Sequence, residues 1–289
     1  MATFAVFGDI HGRITLMLVL ARRWEEETGR RLDGILQVGD FGAFPDVQRL
    51  DKATAKHAAR DTDELGFSEY LEGCEEGERL LGTPGWPVVW MRGNHEDFEY
   101  LSMFLQPTAV DPWGRLVYVP DGASYEVAGV RVGAMGGKPE PTAARGRGRR
   151  AREAHRKASL AALNPTYLDP GLAGKAYPEG GIDVLLTHGG PDALLDGGSA
   201  ALTSLTERVA PRVALFGHHH TFAHPTTGPG GAFTVGLDHL EFRSGRLQKG
   251  CWGILELTDA DVRWSWGHLL PWNGQMQQES YRGWMSSLS

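Results

Sequence analysis

Five short blocks of this chain repeat one design: an apolar run, a glycine, and side chains able to ligate a metal. They are Gly8-Asp9-Ile10-His11-Gly12, Gly39-Asp40, Gly93-Asn94-His95-Glu96, Thr187-His188-Gly189 and Gly217-His218-His219-His220. The runs before them, Thr3 to Phe7, Asp33 to Val38, Trp86 to Met91, Ile182 to Leu186 and Val213 to Phe216, are rich in branched and aromatic residues and predict strands. In open α/β folds, ligands bind outside the carboxyl ends of strands. Asp9, His11, Asp40, Asn94, His188, His218 and His220 all fall just past such ends. They converge only if their strands belong to one sheet system. That requirement constrains the fold to the α/β class.

The opening of the chain agrees. Ile14 to Glu27 places Ile14, Met17, Leu18, Leu20, Ala21 and Trp24 at helical spacing, and Gly29 supplies a stop. Strand, helix and strand within the first forty residues form a βαβ-like start, the unit of a parallel sheet with outer helices. Phe41 to Gly85 is a long charged excursion in which Leu65 to Leu81 predicts one or two short helices, and Phe98 to Phe104 predicts another. Leu116–Val119, Ser124–Val127 and Val130–Met135, separated by Asp121-Gly122 and Ala128-Gly129, predict a meander of short strands. Leu202 to Val209 suits a helix, while Phe233–Val235, Cys251–Leu257 and Asp261–Trp266 suit later strands. The reading is one domain over 1–271, with insertions at about 43–85 and 138–180 and a polar, loosely ordered tail at 272–289.

Composition narrows the partners. A formal net charge of −7 argues against broad non-specific binding to nucleic acid or anionic membranes. Within that acidic chain, Arg145, Arg147, Arg149, Arg150 and Arg152 form a compact basic run, continued by Arg156 and Lys157. It has two readings, a solvated loop or a flap that contacts phosphate. Cys74 and Cys251 fit no zinc pattern and read as ordinary thiols of a reducing compartment. No signal peptide and no apolar stretch of membrane-spanning length is visible, so the expected location is the cytoplasm.

The spacing within the blocks has physical reasons. In Asp9-Ile10-His11, the outer residues face the same way if strand-like geometry persists, and His218 and His220 repeat that two-residue step. Glycines let the backbone turn sharply and approach closely. A carboxylate such as Asp40 has two oxygens and can bridge two ions. His219 reads as packed or supporting, and His224 and His239 as ordinary. Glu96 and Asp97 either orient His95 or cap the helix that follows.

The series of five blocks, in this order from residue 8 to 220, resembles the calcineurin-like metallophosphoesterase superfamily. The resemblance implies a four-layer α/β/β/α sandwich of two mixed sheets and a binuclear metal centre. One ion would be held by Asp9, His11, Asp40 and His220, the other by Asp40, Asn94, His188 and His218, with Asp40 bridging. A hydroxide between the ions would attack phosphorus in line. By the same resemblance His95 is a catalytic residue near the phosphate that assists the leaving group. Arg92, placed directly before Gly93, is a second catalytic expectation, drawn from its position and charge. Mn²⁺ is favoured as the cofactor, with Fe²⁺ or Zn²⁺ also suited to nitrogen and oxygen ligands.

Residues 38–135 also resemble the lariat RNA debranching enzyme in organisation, through Val38-Gly39-Asp40-Phe41, the long insertion, the Trp113-Gly114 region and Gly129-Val130-Arg131-Val132-Gly133. That family commonly has a cysteine where this chain has Asp9. Serine/threonine protein phosphatases continue their second block with Asp-Arg-Gly, whereas this chain reads Asp40-Phe41-Gly42. The expected function is a binuclear phosphoesterase, a diesterase acting on a nucleotide or RNA-like substrate, with Arg145, Arg147 and Arg149 as substrate contacts. The alternatives are a phosphomonoesterase, for small molecules or proteins, and a non-catalytic metal-binding scaffold. No obligate protein partner is evident.

Overall fold

The computed structural model describes residues 1–82, 85–139, 164–278 and 281–285. Arg145, Arg147 and Arg149 lie outside the described residues. The first sheet contains β1 (Ala2–Phe7), β2 (Gly34–Gln37), β3 (Val88–Trp90), β4 (Thr108–Ala109) and β5 (Leu116–Tyr118), together with the late strands β14 (Trp252–Leu257) and β15 (Val262–Trp266). The second contains β6 (Ser124–Val127), β7 (Val130–Met135), β8 (Val184–Thr187), β9 (Val213–Phe216), β10 (Ala223–Thr227) and β11 (Phe233–Gly236). A separate two-stranded ribbon joins β12 (Phe242–Arg243) to β13 (Arg246–Leu247).

The strand orders are β15-β14-β1-β2-β3-β5-β4 and β10-β11-β9-β8-β7-β6. Both sheets are mixed. β1, β2, β3 and β5 run parallel, as do β7, β8, β9 and β11, while β4, β6, β10 and β14 run against them and β15 pairs antiparallel with β14. Four layers follow from the alternation of side chains along each strand. In β1, Phe4 and Val6 turn inward to meet Val132, Val184, Leu186, Val213 and Leu215 of the second sheet. Ala5 and Phe7 turn outward onto α1 (Ile14–Thr28) and the helices of the excursion. On the far side, Leu185 packs against Leu202, Leu205 and Val209 of the helix Ala200–Val209. This is the α/β/β/α sandwich, with strands buried on both faces as parallel sheets require.

The expected meander is corrected. β6 and β7 form a hairpin, but Leu116–Tyr118 pairs with β3 in the other sheet. The chain crosses between sheets at Pro120-Asp121-Gly122, where an apparent hairpin turn is a change of layer. The excursion holds more helix than its charge pattern suggests: α2 (Lys52–Ala58), α3 (Gly66–Glu72) and shorter turns. Asp51 caps α2 by accepting from the backbone nitrogens of Ala53 and Thr54. Within 272–285, Trp272, Met276 and Tyr281 are buried in the outer core of the first sheet.

One aromatic cluster joins the excursion to the sheet. Trp90 stacks on Phe41 with centroids 4.4 Å apart, lies 4.8 Å from Tyr118, and meets the edge of Phe67 from α3 at 6.0 Å. Phe41 directly follows Asp40, so this packing fixes a site loop from below. Trp90→Ala is expected to cost about 3–5 kcal/mol of unfolding free energy, read by urea denaturation. A loss below about 1 kcal/mol would show that the cluster is not a keystone of the core.

Candidate metal centre

The parallel strands bring their carboxyl ends to one rim. Asp9 and His11 follow β1, Asp40 follows β2, Asn94 and His95 follow β3, His188 follows β8, and His218 and His220 follow β9. The loops are tied together before any ion is considered. Buried Gln37 donates from Nε2 to the Gly8 carbonyl (3.1 Å) and to the Gly39 carbonyl (2.5 Å). The Asp40 carbonyl accepts from Ile10 N (3.1 Å) and His11 N (2.8 Å), and the His188 carbonyl accepts from Gly217 N (3.1 Å).

Asp40 is the centre of the arrangement. Its Oδ1 accepts from the backbone nitrogens of Asn94 (2.5 Å) and His95 (2.8 Å). Its Oδ2 lies 3.8 Å from His11 Nε2 on one side and 3.5 Å from His188 Nε2 on the other. This approach needs Gly93, because a Cβ there would overlap Asp40 Oδ1 and the Asp40 backbone nitrogen. Gly217 plays the same part for Asp9, whose two oxygens accept from His218 N at 3.1 and 3.2 Å.

Two donor groups result. Asp9, His11 and His220 form one and Asp9, Asp40 and His188 the other, with ligand atoms within 4.8 Å of one another in each. Asn94 joins the second, since His188 Nε2 lies 3.1 Å from Asn94 Oδ1. His188 Nδ1 donates to the Val38 carbonyl (3.1 Å), which aims Nε2 at two oxygens that are themselves acceptors. A proton on Nε2, or a cation in its place, satisfies them. His218 packs its ring on His188, centroids 4.9 Å apart, but stands outside both three-residue groups.

The backbone carries strain at these positions. His11 (φ 44°), Asp40 (φ 50°), His218 (φ 68°) and His220 (φ 48°) are in the left-handed region. They are half of the eight non-glycine residues found there among the described residues. Such conformations cost about 1–3 kcal/mol each and gather at functional sites.

Charge points the same way. Burial above all, with Asp40 nearby, pushes the Asp9 carboxyl up to about 7 against the pull of His188. Burial also opposes the charge on Asp40, but His188 and His11 hold its carboxyl well below the usual range. Burial lowers His188, yet Asp40 and Asp9 outweigh it and raise the imidazole to about 9. Burial pushes His11 and His218 down to about 3 and lowers His220, so each offers a neutral nitrogen. Buried carboxylates beside neutral imidazoles suit divalent ions such as Mn²⁺, Fe²⁺ and Zn²⁺.

His11, Asp40, Asn94, His218 and His220 line one cleft of about 540 Å³, whereas Asp9 and His188 are buried and do not line it. His95 stands at its edge and donates from Nδ1 to Asp51 Oδ2 at 2.8 Å. Neither Glu96 nor Asp97 orients His95. Glu96 is buried and accepts from Phe41 N, Ala43 N and Gly93 N, bracing the loops after β2 and β3. Asp97 caps the turn Phe98–Leu101 and pairs with Arg49. His219 turns away and accepts from Gly190 N at 3.0 Å.

Arg92 does not line the cleft. Its guanidinium donates twice to Asp121 Oδ2, at 2.9 and 2.6 Å, and to the carbonyls of Pro165 and Tyr167. Two residues outside the expected set do face the cleft environment. Asp51 lies in the excursion, and no local pattern marks it beyond its capping position. His239 lies three residues past the end of β11, its ring 4.5 Å from that of His220 and its Nε2 2.8 Å from Glu241 Oε2. A strand-end histidine was the available signal there, without the adjacent glycine block.

Fold and site together define a metal-dependent phosphoesterase type of centre, with two candidate metal-binding clusters at the strand ends of a two-sheet sandwich. Residues 2–222 match the family model for the calcineurin-like phosphoesterases, and the chain belongs to that family. No curated protein matches the chain. Among solved structures it is similar to a protein of Thermus thermophilus, at 16% identity and TM-score 0.47 over 92% of this chain and 99% of that one. It is similar also to the anchor in the inner membrane complex of Plasmodium, at 12% identity and TM-score 0.45 over 92% and 84%. A hypothetical protein of Pyrococcus horikoshii shows 11% identity and TM-score 0.38 over 99% and 93%. The family assignment rests on the sequence match and not on these likenesses.

The Asp9 proton predicts how ions load. Its carboxyl stands at about 7 in the metal-free cluster, above the ordinary 3.8. The folded protein therefore holds this proton more tightly than the unfolded chain. The stabilisation it gives is full below the ordinary value and is lost as pH rises through 7. A cation must displace this proton and also the one on His188, held up to about 9, so its affinity should fall by about tenfold per unit below pH 9 and more steeply below pH 7. Calorimetric Mn²⁺ titration across this range checks the slope, and a flat affinity would contradict it.

Proposed function

We propose that this protein is a binuclear metal-dependent phosphodiesterase acting on a nucleotide or nucleic-acid-like substrate. The observation that carries the reading is Asp40 Oδ2 between two histidine-bearing donor groups, at 3.8 and 3.5 Å. Asp9, His11, Asp40 and His220 would hold one ion, and Asp40, Asn94, His188 and His218 the other. Mn²⁺ is our favoured ion. When bound, two such ions supply Lewis acidity toward a phosphoryl oxygen and toward water.

The chain's own residues supply the rest. His95 lines the cleft with Nδ1 committed to Asp51, and in this reading it carries a proton on Nε2. Burial pulls the His95 imidazole down, and the Asp51 hydrogen bond with the charges of Asp40 and Asp51 raises it above its ordinary value. It is thus kept as a donor to the leaving oxygen. The excursion contributes Ala53, Thr54, His57 and Glu64 to the cleft wall, which supports a substrate extending beyond the phosphate. Arg92, held by Asp121, supports the loop after β3 in this reading. Asp9 stands where debranching enzymes commonly carry a thiol, so we do not propose a branched RNA substrate. No helix among the described residues is long and apolar enough to cross a membrane; a cytoplasmic location is our proposal, drawn from the sequence alone.

Asp40→Ala or His188→Ala should abolish Mn²⁺-dependent hydrolysis of bis(para-nitrophenyl) phosphate, and retained turnover would sink the proposal. Exclusive turnover of para-nitrophenyl phosphate would favour a monoesterase. Asp51→Asn should lower kcat by about 10–100-fold while metal content is unchanged. Because His95 acts protonated and Asp51 raises its pKa, the alkaline limb of the rate profile should move to lower pH in this variant. An unchanged limb would show that the pair does not act in the reaction.

A further inference from the structure

Met91, Val119 and Ala134 belong to the apolar packing between the two sheets. Arg92, Asp121 and Gly136 lie one or two residues beyond them in the chain, toward the rim that carries the metal donors. There a polar tie takes over from the core. Arg92 donates from Nε and Nη2 to Asp121 Oδ2, at 2.9 and 2.6 Å, and Asp121 Oδ1 accepts from Gly136 N at 2.7 Å. One carboxylate thus joins the loop after β3, in the first sheet, to the end of β7, in the second. The two side chains are each only 12% exposed, and neither lines the cleft.

The tie leaves little slack. A Cβ on Gly136 would stand 2.4 Å from Arg92 Cγ, 2.5 Å from the Arg92 carbonyl oxygen and 2.9 Å from Asp121 Oδ1. A Cβ on Gly39 would stand 3.0 Å from that same carbonyl oxygen and 2.6 Å from His188 Nδ1. The backbone of Arg92 is therefore held between the loop after β2 and the end of β7.

Both ends of the tie lead to donors of one group. On the first sheet, Asn94 follows Arg92 by two residues. On the second, Met135 directly precedes Gly136, pairs with Thr187, and accepts from His188 N at 3.3 Å. Asn94 Oδ1 and His188 Nε2 meet at 3.1 Å. His188 has a further hold on the first sheet through the Val38 carbonyl, so slack in the tie would fall mainly on Asn94. The group of Asp9, His11 and His220 has its own link between the sheets, because Asp9 accepts from His218 N.

From this we infer that Asp121 and Arg92 are positioning residues for one ion of the pair. Their bridge between the sheets holds Asn94 against His188, and cutting it weakens the ion on that side while sparing the one beside His11 and His220. The inference rests on the two-ion reading above and adds to it two residues outside the cleft. Partners one step removed from metal ligands change metal affinity by about 10–100-fold. A pair serving stability alone would not separate the two ions.

The test is calorimetric titration of the metal-free full chain with Mn²⁺. Asp121→Asn keeps the size of the side chain and an acceptor for Gly136 N but removes the charge that Arg92 meets. One Mn²⁺ affinity should fall by about tenfold or more and the other should stay within about threefold. Crystals of the variant, at a Mn²⁺ level between the two affinities, should lose the anomalous peak beside Asn94 and His188 and keep the other. Arg92→Met should reproduce this and carries the test if Asp121→Asn does not fold, while Arg92→Lys, which keeps the charge, should lose less. The double variant Arg92→Met, Asp121→Asn should lose no more than the worse single one. Unchanged affinities, an equal fall in both, loss of the peak beside His11 and His220, or losses that add in the double variant would overturn the inference. Failure of the wild-type chain to take up two ions would instead overturn the two-ion reading beneath it.

Discussion

The structure turns on a buried carboxylate. Asp40 sits in a left-handed backbone conformation, with one oxygen held by the nitrogens of Asn94 and His95 and the other between His11 and His188. Those neighbours come from three strand ends, after β1, β3 and β8, and Asp40 itself follows β2. The carboxylate therefore locates four loops from two sheets relative to one another. Nothing in a hydrophobic core favours this placement, since burying a charge is costly unless it is paired. Gly93 makes room for it, Glu96 braces the loops beneath it, and Phe41 anchors it into the cluster around Trp90.

Around that point the fold has two kinds of work to do. The inter-sheet core of Val, Leu and Phe side chains sets the spacing of the sheets, and hence the distance from Asp40 to His188. The excursion does not enter that core. It packs outside, through Phe67 and Tyr70, and sends Asp51 back to hold His95. The scaffold of the candidate metal donors and the support of His95 thus come from separate parts of the chain. Substitutions in the excursion can alter His95 and the cleft wall while leaving the donors in place.

Much of this was legible in the sequence, and the reason is geometric. A ligand just past a parallel strand, beside a glycine, has little freedom to be anywhere but the sheet rim, so Asp9, Asp40, Asn94 and His188 could be placed from pattern alone. The strands themselves announced their positions by unbroken apolar runs, as doubly buried strands do. Leu116–Tyr118 misled because local turn residues cannot tell a hairpin from a crossing between layers. Asp51, His239 and the true partner of Arg92 depend on long-range contacts. The Asp51–His95 pair spans 44 positions, and no local spacing encodes it. Positive charge beside Gly93 suggested a phosphate contact for Arg92, but Asp121 at the layer crossing claims its guanidinium.

The central claim is that Asp40 bridges two ions. The most direct measurement is anomalous diffraction from crystals of the Mn²⁺-loaded protein. The account predicts two peaks about 3.5–4 Å apart, one on the side of Asp9, His11 and His220 and one on the side of Asn94 and His188, with an Asp40 oxygen between them. A single peak, or two peaks with Asp40 bound to neither, would contradict it.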